Sequence, residues 1–151
     1  MATESSSGTL ALAVKEAALQ GNVAELRRLR VGEAGGAPVD ATDSKYGGTA
    51  LHHAAWDGRL EAVRYLLRRG ATVDVPTKYK STALHRAAGN GHAAVARELA
   101  LHGADPRLSN KGGQTPLQVA ERKGHGVAIG AAITEGQRAR ATTQVRYCCY
   151  C

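Results

Sequence analysis

Residues 47–71 read GGTALHHAAWDGRLEAVRYLLRRGA, and 33 residues further on the chain reads KSTALHRAAGNGHAAVARELALHGA. The box Thr49-Ala50-Leu51-His52 returns as Thr82-Ala83-Leu84-His85, and Thr115-Pro116-Leu117-Gln118 follows at the same spacing. Ala54 and Ala55 return as Ala87 and Ala88, while Gly58, Gly91 and Gly124 keep one register and Gly70, Gly103 and Gly136 another. Features in phase at one fixed period mark stacked supersecondary units, none of which can bury its own apolar faces.

Within each unit the residue types dictate local structure. Thr49, Thr82 and Thr115 stand just before apolar helical segments, where a hydroxyl can satisfy an otherwise unpaired amide at a helix start. Pro116 fits the first helical position, which needs no donor. The alanine pairs keep one helix thin, Leu51, Leu84 and Leu117 fill the space between two helical layers, and Leu60, Val63, Leu66 and Leu67 recur at helical spacing.

Working outward, Ala17-Ala18-Leu19-Gln20-Gly21-Asn22 repeats the alanine pair and glycine turn without a preceding box, which suits an N-terminal cap. From Gly21 to Gly58 the spacing is 37, four residues longer than the period, so a longer, mobile loop is expected at the glycine-rich residues 32–38. The last copy has Gln118 for His, Glu121 for the second alanine, and Gly126 and Gly130 inside its expected second helix. Each such glycine costs about 1 kcal/mol relative to alanine, so that helix is expected to fray first. The expected organisation is a flexible 1–8, units at 9–43, 44–76, 77–109 and 110–136, and a flexible, basic, Cys-ending tail at 137–151.

The pattern closely resembles the ankyrin repeat over roughly residues 9–136. The resemblance implies an all-α solenoid of stacked helix-turn-helix units with β-hairpin-like finger loops, acting as a non-catalytic module that binds another protein. It implies that His52 and His85 bridge neighbouring repeats. It also implies a concave face lined by the positions that family members vary. Here these are Lys45, Tyr46, Gly48, Trp56 and Asp57, then Lys78, Tyr79, Ser81, Gly89 and Asn90, then Lys111, Gly112, Gln114, Arg122 and Lys123. His53 should point out of the stack and joins the candidates.

Lys45, Lys78 and Lys111 share the repeat spacing, so stacking should align them as a basic ladder beside Tyr46, Tyr79 and Trp56. Lys80, at the usual glycine position of its finger, puts that turn and the ladder in question. Tyr and Trp suit interface centres and a basic rim steers acidic partners, so the expected ligand is a protein with an acidic or mixed surface. A formal charge of +7 and lysines beside aromatics keep weak nucleic-acid binding as the alternative, although no reader motif is present. The bland reading makes the lysines solvated turn residues and packs the rings against adjacent fingers.

No phosphate loop, His-Glu-x-x-His, serine elbow or paired catalytic carboxylates appear, so neither enzyme activity nor a cofactor or metal is expected. All three cysteines lie in the last four residues, which leaves the body without a disulfide framework. With no apolar span and no basic n-region at the start, a soluble, monomeric cytoplasmic or nuclear protein is expected. The ending invites a lipidation reading. Cys149-Tyr150-Cys151 resembles the Cys-x-Cys terminus of Rab-type GTPases and Cys148 opens a C-a-a-X frame, while Arg138, Arg140 and Arg146 would favour anionic lipid. Against it, Tyr150 is not aliphatic and no GTPase fold is expected. The membrane enters as a partner only through such lipidation.

Overall fold

The computed structural model describes residues 3–148, with side chains over 8–144, and is all-helical with hydrogen-bonded finger turns. Its helices are α1 (Thr3–Gln20), α2 (Val23–Arg28), α3 (Ala50–Trp56), α4 (Leu60–Arg68), α5 (Ala83–Gly89), α6 (Ala93–Leu101), α7 (Pro116–Arg122) and α8 (Gly126–Cys148). They pair in chain order and form two layers. In the inner layer α1 packs on α3, α3 on α5 and α5 on α7; in the outer layer α2 packs on α4, α4 on α6 and α6 on α8.

The alanine pairs explain the close inner stack. Ala18, Ala54, Ala55, Ala87 and Ala88 are all fully buried, and a larger side chain there would wedge neighbouring helices apart. Larger apolar groups sit between the layers: Leu51 and Leu84 from the inner helices, and Leu26, Val63, Leu66, Leu99 and Ile129 from the outer ones. Polar links run along the outer layer: Tyr65 Oη donates to the Leu26 carbonyl at 3.4 Å and joins α4 to α2, Arg64 Nε donates to Glu98 Oε2 at 3.2 Å and joins α4 to α6, and Arg97 pairs with Glu135 at 2.9 Å between α6 and α8.

The fingers between units are turns rather than extended strands. Among the described residues the ladder pairing is a single isolated bridge, Thr42 with Thr49. Each finger is closed by two backbone bonds: Asp43 N–H to Gly48 O at 2.9 Å with Gly47 N–H to Asp43 O at 3.0 Å, Thr77 N–H to Ser81 O at 3.0 Å with Lys80 N–H to Thr77 O at 2.8 Å, and Asn110 N–H to Gln114 O at 3.0 Å with Gly113 N–H to Asn110 O at 2.9 Å. Gly47 and Gly113 hold left-handed φ values of 67° and 70° in their fingers, and Lys80 adopts the same region at 54°. The third finger therefore keeps the shape of its neighbours, although a side chain in that conformation costs about 1–2 kcal/mol.

Both ends depart from the expected segments. Helix α1 begins at Thr3, within the segment 1–8 expected as flexible, and its Gly8, Ala11, Leu12 and Lys15 face residues 41–45 of the second finger across a cleft. Residues 32–38 do form a longer loop, closed on itself by Gly32 N–H to Ala37 O at 2.9 Å and Ala37 N–H to Leu29 O at 3.1 Å, with Ala37 buried.

At the other end, residues 137–148 of the segment expected as a flexible tail continue α8. Gly70 and Gly103 end their repeats at φ values of 85° and 96°, but Gly136, in the same register, lies inside a helix. Its missing side chain has a packing role there. A Cβ would collide with the Arg97 carbonyl and stand 2.7 Å from Ala100 Cβ, so glycine lets α8 lie directly on α6. The residues beyond it, rich in Ala, Arg and Gln, favour helix and carry it onward. Cys149 and Cys151 lie outside the described residues, as does the Cys148 side chain, so the lipidation expectation has no structural counterpart.

Candidate binding groove

The concave side is built first by the Thr-x-x-His boxes, which fix finger to helix. Thr49 N–H donates to His52 Nδ1 at 3.1 Å, and Thr82 N–H to His85 Nδ1 at 3.2 Å. A nitrogen that accepts carries no proton, so the hydrogen sits on Nε2. From there His52 donates to the Ser81 carbonyl at 3.2 Å and His85 to the Gln114 carbonyl at 3.0 Å, each tying one unit to the next finger. Burial lowers the His52 pKa to about 4 and lowers that of His85, so both rings are neutral at physiological pH. In the last box Gln118 Oε1 accepts the Thr115 N–H at 2.9 Å in place of the imidazole.

The fingers are then zipped edge to edge. Lys78 N–H donates to Tyr46 O at 3.0 Å and Lys111 N–H to Tyr79 O at 2.9 Å, a bond repeated at the unit spacing. The same register brings the Tyr46 and Tyr79 rings to 6.4 Å between centroids, tilted by 39°. The expected lysine ladder divides among three roles. Lys45 Nζ lies 4.9 Å from the Tyr46 ring centroid, Lys78 Nζ donates to the Ser44 and Lys45 carbonyls, and Lys111 lines the groove.

Between the fingers and the inner helices runs a groove of about 780 Å³ that touches α1, α3, α5 and three fingers. Tyr46, Trp56 and Tyr79 form its apolar body and remain 38%, 47% and 54% exposed. The Arg86 guanidinium lies over the Trp56 ring at 5.0 Å, a cation–π contact. Deeper in, Asp43 accepts the Tyr46 N–H at 2.6 Å and the Gly48 N–H at 3.0 Å, and meets His53 Nε2 at 3.1 Å. Burial alone would raise the Asp43 pKa, but these donors outweigh it and hold it at about 2. His53 is shifted down by burial despite Asp43, so the pair at neutral pH is a neutral imidazole donating to a carboxylate.

Of the residues singled out from sequence, the groove gathers Tyr46, Gly48, His53, Trp56, Asp57, Tyr79, Ser81, Lys111, Gly112 and Gln114. His53 is mostly buried and turned onto Asp43 rather than standing clear of the stack. Asn90 does not line the groove; its Nδ2 donates to the Trp56 carbonyl at 2.8 Å and braces α3. Arg122 and Lys123 close the exposed end of α7 beyond the groove. Sequence reasoning missed Arg86, Lys15, Leu19 and Asp43. Arg86 had a usable signal, since it stands 33 residues after His53, whereas the boxless first unit gave no register for Lys15.

Among the described residues no group of three His, Cys, Asp or Glu could hold a metal ion, and no helix is long and apolar enough to cross a membrane. Residues 14–67 and 67–120 each match a family model described as ankyrin repeats (many copies). No curated protein matches the chain significantly.

Proposed function

Because the chain belongs to the ankyrin-repeat family, whose members are generally protein–protein interaction modules and typically non-catalytic, we propose that it binds a partner protein through the concave groove. The observation that carries this reading is the half-exposed cluster of Tyr46, Trp56 and Tyr79 on a braced backbone. Large aromatic groups left open to water on a rigid surface supply contact area at small cost in rotamer entropy. The partner surface that suits the groove is acidic or mixed, because Lys15, Arg86 and Lys111 line it together with Asp43 and Asp57. With no cysteine before residue 148, the cytoplasm or nucleus is the fitting compartment.

The test is an affinity pull-down from cytosolic extract with wild type and a Trp56→Ala/Tyr79→Ala variant, both checked for fold by circular dichroism. Loss of two central aromatic anchors should weaken a groove-bound partner by about 100-fold or more, enough to remove it from the variant's eluate. A partner retained equally by both proteins places the interface elsewhere and refutes the reading.

A further inference from the structure

The charges of the groove are not equally available. Asp43 is turned inward onto two finger amides and His53, so its carboxylate is already occupied. Lys15, Arg86 and Lys111 also line the groove, yet among the described residues none of them lies within ion-pair distance of a carboxylate. Arg86 is the central one. It rises from α5 and sits over the Trp56 ring at 5.0 Å from the centroid, a contact that leaves its N–H groups without a protein acceptor among the described residues. Asp57 is the remaining acid at the groove wall.

We infer that the groove accepts an extended peptide segment of the partner in which an Asp or Glu side chain docks on Arg86 while a neighbouring apolar side chain lies against Tyr46, Trp56 and Tyr79. This rests on the groove being the recognition surface and names the chemistry it recognises. A guanidinium is planar and meets a carboxylate bidentately, and the cation–π contact with Trp56 restrains this arginine before a ligand arrives. The groove, about 780 Å³, has room for a few side chains of a segment laid along it. Asp43 and Asp57 oppose a ligand that brings a charge at every unit, which disfavours a nucleic-acid strand and suits a single carboxylate.

The lone tryptophan of the chain is Trp56, so its fluorescence reports directly on the groove. A random dodecapeptide display library is panned on the full chain and counter-selected on the Trp56→Ala/Tyr79→Ala variant. One enriched peptide is then titrated as the acid and as its amide, Asp→Asn or Glu→Gln, against wild type, Arg86→Gln and Arg86→Lys. Enriched sequences should carry an acid beside an aromatic or aliphatic residue. The amide should bind wild type about tenfold or more weaker, and that difference should vanish on Arg86→Gln and shrink on Arg86→Lys. Acid-free enriched peptides, an amide penalty equal on all three proteins, no enrichment at all, or displacement of the peptide by a random oligonucleotide at physiological salt would each overturn the inference. The pull-down separates this from the parent reading: a partner lost with Trp56 and Tyr79 but indifferent to Arg86 sinks the carboxylate alone.

Discussion

At the scale of single residues, the box histidines combine two functions that the chain itself separates. In repeats two and three the imidazole both holds its own threonine amide and reaches the next finger, whereas Gln118 performs only the first. His52→Gln should therefore keep the box, lose the Ser81 bond and cost about 1 kcal/mol at neutral pH. It should also flatten the acid limb of stability. The folded His52 takes up its proton only near pH 4, while the unfolded imidazole does so near 6.5. Between these values the unfolded chain binds more protons, so the stability contribution is full above about pH 6.5 and is lost as pH falls towards 4. At about 1.4 kcal/mol per pKa unit this amounts to about 3 kcal/mol. Urea unfolding at pH 7.5, 6 and 4.5 measures it; an unchanged slope in His52→Gln would contradict the burial argument. The threonine was legible in the sequence as a cap ahead of each apolar helical segment, and the bridging histidine through the resemblance to the ankyrin repeat. His53 was not, because its partner Asp43 belongs to a turn whose hydrogen bonding depends on the folded finger.

At the scale of elements, the two glycines of α8 have opposite meanings. A Cβ at Gly130 would stand 3.4 Å from Leu117 Cδ1, an ordinary contact, so Gly130→Ala should gain about 1 kcal/mol from helix propensity. A Cβ at Gly136 would meet the backbone of α6 at Arg97 and Leu101, which cannot yield as a side chain would. Gly136→Ala should destabilise despite the same propensity gain, and equilibrium unfolding of the two variants measures the contrast. Stabilisation by both would mean that α8 does not lie against α6. The 33-residue register put Gly136 in phase with Gly70 and Gly103, but periodicity reports position within a repeat and cannot distinguish a glycine chosen for φ from one chosen for close approach. The stack of paired helices, in contrast, was legible from the alanine pairs and the spaced leucines, since burial on two faces leaves few other solutions.

At the scale of the whole molecule, the groove exists only because three fingers and three inner helices are stacked in register, so no single unit contains it. Its aromatic body was readable as Tyr46, Trp56 and Tyr79, but its charge distribution was not. The basic ladder expected from spacing divides among a cation–π contact, a finger clamp and one groove residue, while the cation at the centre is Arg86. The central claim is that a partner protein lies in this groove. Site-specific photo-crosslinking tests it most directly, with a benzophenone amino acid placed at Tyr79 or at Val127, which is 92% exposed and outside the groove. The account predicts a crosslinked partner from position 79 and none from position 127. A crosslink from position 127 with none from position 79 would contradict it.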